Sequence, residues 1–213
     1  VLDGGSDAYT EEVFFFFFLP LEKSIWGGPD NGVYDGMYKA VAKASGEWIL
    51  FLNSGDRFSH GTTLAFLANL ELNTVSVLYG NNRVVTKSGL VWERIPREIG
   101  NFRRGMPFCH QSVLVRLKLL QAFPFRKTGI NSDFEFFYRL YQKGHSFVYV
   151  NYFIADVATG GLSDKKRLQK HFEDFTVLRR FSKVEAKDVV YFAWAIAKDC
   201  IKGIVKALLP LRV

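Results

Sequence analysis

The decapeptide Glu47-Trp48-Ile49-Leu50-Phe51-Leu52-Asn53-Ser54-Gly55-Asp56 constrains the fold of this chain more than any other stretch. Its middle, residues 48–52, is an unbroken apolar run, too short for an isolated helix and rich in residues that suit a strand covered on both faces. It is expected to form a central, parallel strand. The run stops at Asn53, Ser54, Gly55 and Asp56, at the carboxyl end of that strand, where open α/β sheets place their ligands. A carboxylate there, beside a glycine that lets a ligand approach the backbone, suits a hard divalent cation carrying phosphate oxygens. The same Asp56 could instead cap a helix over residues 62–70 or close a turn.

Two similar units precede this one. Val1-Leu2 reads as the last part of a strand, followed by the polar turn Asp3-Gly4-Gly5-Ser6 and a helix start at Thr10, Glu11 and Glu12. A short strand over 24–26 leads into the turn cluster Gly27-Gly28-Pro29-Asp30-Asn31-Gly32. A helix over 33–44 follows, with Val33, Met37, Ala40, Val41 and Ala44 at helical spacing, Asp30 or Asn31 as cap and Gly46 as stop. A doubly wound sheet would bring all of these polar turns to one edge.

Downstream, strict alternation breaks. Residues 75–79 read as a strand, and 83–87 with 90–94 read as a hairpin around Ser88-Gly89. Arg94, Arg97, Arg103 and Arg104 punctuate a loop-rich stretch, either as solvated loop residues or as phosphate contacts. A strand over 112–115, a short helix over 117–123, a longer helix over 132–143 and a last strand over 148–150 complete the pattern. Ser132-Asp133-Phe134-Glu135 has the form of a capping signature, so Asp133 has a structural explanation of its own.

The chain of 213 residues is long enough for one large domain with a substantial core. Cys109 and Cys200 stand far apart, which excludes a disulfide framework or a zinc cluster and fits a reducing compartment. No stretch reaches the ~18 uninterrupted apolar residues of a spanning helix. The run Phe14 to Phe18, between Glu12 and Pro20, lacks the basic start of a signal peptide and reads as buried. A formal charge of +7 favours polyanionic partners. Beyond residue 165 the charge becomes organised: Lys198, Lys202 and Lys206 recur every fourth residue of an expected helix. Val189, Ala193, Ala197, Ile201, Ile204, Val205 and Leu208 supply its apolar side. Such a helix either lies at a bilayer interface or docks on the domain through its apolar side.

Taken in order, DGGS, PDNGVYDGMYKA, GEWILFLNSGDRF, MPFCHQSV, SDFEFFYRLYQKG and GGLSD resemble the family 2 glycosyltransferases, most of all the bacterial branch that builds exopolysaccharides such as colanic acid. The resemblance spans residues 1–164. It implies an α/β GT-A fold, with a mixed, mostly parallel sheet flanked by helices, followed by a helical extension over 165–213. The family's first strand and helix are expected to be missing.

It also implies an inverting transfer from a nucleotide-sugar donor to a saccharide or lipid-linked acceptor, in surface polysaccharide assembly. By motif, Asp3, Gly5, Ser6, Asp30, Asn31, Gly32, Asp35, Asn53, Ser54 and Gly55 would contact the nucleotide sugar. Asp56 would hold Mg²⁺ or Mn²⁺ on the diphosphate, Asp133 would be the general base, and His110 and Gln111 would lie on the acceptor side. Asn53 and Gly55 stand where many relatives carry Asp, and Asp7-Ala8-Tyr9-Thr10 replaces the usual DGT. The function implied by the resemblance places such a protein in the cytoplasm, and the lysine spacing and apolar side of 186–213 add the expectation of peripheral contact with the inner face of the plasma membrane. The competing expectation is a catalytically impaired remnant that serves as a binding module. No nucleic-acid motif accompanies the charge.

Overall fold

The computed structural model describes residues 2–3, 26–27, 31–126, 129–161 and 165–208. The expected buried run 14–18 and the helix start at Thr10 lie outside them. Two short strands, β1 (Leu2–Asp3) and β2 (Trp26–Gly27), pair in parallel. The principal sheet contains β3 (Trp48–Ile49), β4 (Arg57–Phe58), β5 (Val77–Val85), β6 (Val91–Arg94), β7 (Val113–Arg116) and β8 (Phe147–Ala158), in the order β3-β7-β5-β8-β4 with β6 also on β5. The helices are α1 (Val33–Lys43), α2 (Thr63–Ala68), α3 (Leu117–Ala122), α4 (Ser132–Gln142), α5 (Arg167–Phe181) and α6 (Ala186–Leu208).

The α/β architecture with a mixed sheet flanked by helices is as expected, but the strand directions are not. Within the principal sheet β5 and β8 run parallel, whereas β3–β7, β5–β7, β5–β6 and β4–β8 are antiparallel. The cause lies in the connections. The hairpin after β5 reverses the chain, β6 and β7 both run opposite to β5, and the helical connection through α3 and α4 turns the chain back so that β8 runs with β5. The run 48–52 is correspondingly not a central parallel strand. Only Trp48–Ile49 pairs, antiparallel to β7 at the end of the sheet order. Its apolar character still has the inferred cause: Ile49 and Phe51 pack on one hydrophobic cluster and Trp48 and Leu50 on the other, so the extended segment is covered on alternating sides.

β5 changes partners midway, from β7 along Val77, Leu78 and Tyr79 to β6 along Asn82–Val85. Gly80 sits at the changeover, where a Cβ would lie 2.7 Å from both Ile154 Cδ1 and the Tyr152 carbonyl oxygen. Only glycine permits that approach. The register of β5 against β8 shifts at the same place, and the extra residues of β8 bend the sheet. Beyond the bend, buried Asp156 ties three strands together by accepting from Arg83 Nε at 2.8 Å, Ser59 Oγ at 2.7 Å and Arg57 Nε at 3.2 Å.

The larger cluster packs α1, α3, α4 and α5 on one side of the sheet around fully buried Phe102, whose ring meets Phe108, Tyr138 and Phe147 edge-on. Local signals differ in detail from the expected ones. Helix α1 begins at Gly32, with φ +109°, rather than at a capping Asp30 or Asn31, and extended Ala44 ends it before Gly46. Helix α4 is entered from Asn131, which makes Ser132 its first residue rather than its cap. Gly144, with φ +74°, closes α4 as expected: its N–H donates to the Tyr141 carbonyl and His145 N–H to that of Leu140.

Helix α6 departs most from its expected docking. Phe192, Ala195 and Asp188 face the domain, while Val189, Ala193, Ala197, Ile201, Ile204 and Val205 are exposed. Arg103 anchors its start on Asp188 at 2.5 Å, and Phe175 of α5 packs against Phe192.

Candidate functional site

Two carboxylates define the site, and a 3₁₀ turn over His110–Ser112 connects them. Asp56 closes a turn with Asn53: its N–H donates to the Asn53 carbonyl at 2.9 Å, and its Oδ2 accepts from Asn53 N–H at 3.2 Å. Gly55 supplies the left-handed φ of +88° that the turn requires. Asp56 Oδ2 also accepts from Gln111 Nε2 at 3.0 Å, and Oδ1 from the Ala158 N–H at 2.9 Å. The turn reading and the ligand reading of Asp56 are therefore compatible. The carboxylate is fixed by protein donors on both oxygens and stays partly exposed.

Asp133 is the second residue of α4. Its Oδ1 accepts from Tyr34 Oη at 2.7 Å, and its Oδ2 lies 3.1 Å from His110 Nδ1. Burial alone would push its pKa up; the His110 and Tyr34 hydrogen bonds, with the backbone N–H of Phe134, outweigh it and hold the carboxyl below the usual range. On its other side, His110 Nε2 stands 3.3 Å from Asn53 Nδ2. The tautomer sets the roles in this network: a proton on Nδ1 is directed at Asp133 and leaves Nε2 to accept from the Asn53 amide.

The adjacent residues His110 and Gln111 thus point to different carboxylates, His110 to Asp133 and Gln111 to Asp56. Cys109 sets the orientation of Gln111 by donating its S–H to Oε1 at 2.8 Å, which leaves Nε2 for Asp56. Burial pushes the Cys109 thiol up to about 11, so it stays protonated and keeps that role.

The structure brings together Asn53, Asp56, His110, Gln111 and Asp133. Asp35 belongs to a separate arrangement: it is buried, pairs with Lys39 at 2.7 Å and accepts from the Asn31 N–H at 3.1 Å. Asn31, Gly32 and Ser54 are exposed. Gly5, Ser6, Asp30 and the Asp3 side chain lie outside the described residues, although the Asp3 backbone is in β1. Tyr34, Cys109 and the Ala158 N–H were not anticipated. The only hint for Tyr34 was its place between the turn glycine and the apolar positions of α1, three and seven residues before Met37 and Val41.

Beside Asp56 a cavity of about 260 Å³ is lined by Gly55, Arg57, Thr86, Lys87, Asp156 and Thr159, among others. Among the described residues, no group of three His, Cys, Asp or Glu side chains could hold a metal ion. Asp56 nonetheless fits a cation bound through a single carboxylate. Mg²⁺-type sites commonly draw one or two protein carboxylates and take their remaining ligands from water and substrate phosphates.

A bent mixed sheet with helices packed against it is the fold this chain shares with solved glycosyltransferases of the GT-A type. The chain is 30% identical over 129 residues to the PGL/p-HBAD biosynthesis glycosyltransferases of Mycobacterium bovis and Mycobacterium tuberculosis, an alignment covering 54% of this chain and 46% of each relative. It spans about half the length of these curated relatives. Among solved structures it is similar to S. aureus TarS 1-349, with TM-score 0.61 and 14% identity, covering 100% of this chain and 65% of that one. It is also similar to the mannosyltransferase PcManGT from Pyrobaculum calidifontis in complex with GDP-Man and Mn²⁺, with TM-score 0.63 and 15% identity, covering 98% and 65%. TarS 1-349 was also solved in complex with UDP-GlcNAc. The chain matches none of the family models compared with it.

Proposed function

We propose that this chain carries the catalytic part of an inverting glycosyltransferase that uses a nucleotide-sugar donor. The observation that carries the reading is the link His110-Gln111, which joins a carboxylate suited to a diphosphate-bound cation to one suited to proton abstraction. Asp133 is the general base. It takes the proton of the acceptor hydroxyl as that oxygen bonds to the anomeric carbon, while the bond from that carbon to the donor phosphate breaks and the nucleoside diphosphate leaves. Because its pKa is held low, Asp133 is ionised before the reaction and accepts the proton late, as a weak base. His110 and Tyr34 keep its carboxylate oriented, and with the Phe134 N–H as third donor one of its four lone-pair positions is left for the acceptor.

Mg²⁺ or Mn²⁺ at Asp56 would neutralise charge on the leaving diphosphate. Asn53, Ser54 and Gly55 lie beside it on the donor side, with Asp3, Gly5, Ser6, Asp30, Asn31, Gly32 and Asp35 assigned to the nucleotide sugar by motif. His110 and Gln111 are assigned to the acceptor side by motif, Gln111 acting there through its hold on Asp56. The ligands of similar structures, UDP-GlcNAc in one and GDP-Man with Mn²⁺ in another, support a donor of this class. A saccharide or lipid-linked acceptor, and a role in building a cell-surface glycan of the colanic-acid type, follow from the motif resemblance. The exposed apolar face of α6 supports work at the cytoplasmic side of a membrane. No helix among the described residues is long and apolar enough to cross one.

The test is a hydrolysis screen of UDP- and GDP-sugars with Mn²⁺, run on the chain and on Asp133→Asn. One donor should be turned over by the chain, and the variant should bind that donor while losing about 10²-fold in kcat. No turnover of any donor, or turnover unchanged by Asp133→Asn, overturns the proposal.

A further inference from the structure

Helix α5 follows every motif that carries the family resemblance, yet its polar side chains reach the turn that launches Asp133. Asn131, the residue before α4, is buried, and its Nδ2 donates to Asp174 Oδ1 at 2.5 Å and to the Lys170 carbonyl at 3.1 Å. The preceding Ile130 N–H donates to Glu173 Oε2 at 2.9 Å. The Ile130 carbonyl lies 2.9 Å from Tyr34 Oη, the same hydroxyl that meets Asp133. Lys170 Nζ, 2.6 Å from Asp174 Oδ2, completes the cluster.

The surrounding backbone is shaped to admit these carboxylates. A Cβ on Gly129, at φ +98°, would lie 3.1 Å from Glu173 Oε2, and one on Gly105, at φ +91°, would lie 3.0 Å from Asp174 Oδ2. Two glycines in left-handed conformations, from separate segments, thus leave room for neighbouring carboxylates of one helix. The helix start is held by a side chain from another element in place of a local cap, since Asn131 makes no capping hydrogen bond of its own.

We infer that Glu173 and Asp174 are positioning residues for the reaction: through Ile130 and Asn131 they set where the Asp133 carboxylate stands relative to His110 and Tyr34. The inference rests on the proposed role of Asp133. A buried asparagine with two acceptors on a neighbouring helix has its rotamer fixed, and residues 131 and 133 share the first turn of α4. Displacement at Asn131 is therefore transmitted to Asp133 with little loss. The segment beyond residue 165 is thereby part of the catalytic scaffold and not an attachment to it.

The experiment compares Asn131→Ala, Asp174→Ala and Asp174→Asn with Tyr138→Phe in the full chain. Tyr138 Oη bonds Ser182 Oγ at 2.7 Å near the opposite end of the same helix pair, so its loss reports simple weakening of the α4–α5 contact. With UDP-GlcNAc or GDP-mannose and Mn²⁺, Asn131→Ala and Asp174→Ala should lower kcat by about 10- to 100-fold at a donor KM unchanged within about twofold. Asp174→Asn, which keeps an acceptor for Asn131, should recover most of that loss, and Tyr138→Phe should alter melting temperature alone. Independently of turnover, the ring ¹⁵N signals of His110 should shift in Asp174→Ala and not in Tyr138→Phe.

Unchanged kcat in Asn131→Ala and Asp174→Ala, alongside the expected loss in Asp133→Asn, overturns the positioning role. If Asp133→Asn retains turnover, the base assignment fails instead, and the His110 signals decide the clamp. Signals unmoved by Asp174→Ala overturn it.

Discussion

His110 Nδ1 lies 3.1 Å from Asp133 Oδ2, while the same ring offers Nε2 to Asn53 at 3.3 Å. The imidazole therefore spans from the turn carrying Asp56 to the helix start carrying Asp133. With Tyr34 on the other carboxylate oxygen, it fixes the orientation of the Asp133 carboxylate and favours its ionised form in a partly desolvated place.

Removing the ring should move the pH dependence in a defined direction. His110 lowers the Asp133 pKa, so in His110→Ala that pKa rises, and the acid limb of the kcat profile moves to higher pH. His110→Asn, whose amide can replace the Nδ1 donor, should leave the limb closer to its original place. Steady-state kcat measured across the acid range checks this, and an unmoved limb in His110→Ala would remove Asp133 as the titrating base.

Asp56→Asn tests the carboxylate charge at the proposed cation position. The new side chain keeps an acceptor for the Ala158 N–H but loses the charge on which a one-carboxylate cation site depends. Its amide also opposes the Asn53 N–H and Gln111 Nε2 donors. Donor affinity measured by calorimetry should fall about 10-fold or more with Mn²⁺ present and little without it. Equal affinity in both proteins with Mn²⁺ would move the cation elsewhere.

Much of this site was legible from residue order alone. Asp56, His110, Gln111 and Asp133 sit in motifs whose sequence is distinctive, and the structure brings these motifs together. Other parts were hidden because they depend on long-range partners. The direction of β3 could not be read from residues 48–52, since a run covered on both sides looks the same in either pairing. Ser132 resembled a cap because Glu135 follows three residues later, but Arg126 and Arg180 hold Glu135 at 2.5 and 3.1 Å. The far half of β8 went unseen because its register shifts break the alternation that marks a strand. Its Ala158 N–H, and with it one of the anchors of Asp56, went unseen too.

The Asp156 cluster predicts an acid-sensitive fold. Burial would raise this carboxyl, but Ser59, Arg83 and Arg57 hold it below the usual range. A depressed carboxylate contributes stability that is present above its unfolded pKa of about 3.9 and is lost as pH falls through the lower folded value. Urea unfolding followed from pH 6 down to about 2 should show that loss. In Asp156→Asn the acid-dependent part should shrink, and stability at pH 7 should fall by about 1–3 kcal/mol, because Arg83 and Ser59 lose a charged acceptor. Identical pH slopes in the two proteins would assign the acid sensitivity to other carboxylates.

The exposed side of α6 makes the remaining prediction. A helix attached to its domain by Phe192 and Ala195 has no structural need for Val190, Trp194, Ile201 and Ile204, which are 68%, 57%, 60% and 58% exposed. Lys198 lies over the Trp194 ring at 4.7 Å, placing a cation at the margin of this apolar strip, and Lys202 follows one turn later. A bilayer with anionic headgroups matches both features: each lysine near such a surface contributes on the order of 1 kcal/mol, and the apolar side chains add burial. In flotation assays the chain should associate with phosphatidylglycerol vesicles, less with neutral ones, and progressively less as salt screens the lysines. Ile201→Ser with Ile204→Ser should weaken association without lowering the melting temperature, because neither side chain is packed in the domain core. If those substitutions destabilise the fold, or if anionic vesicles leave the chain unbound, the strip covers protein and not membrane.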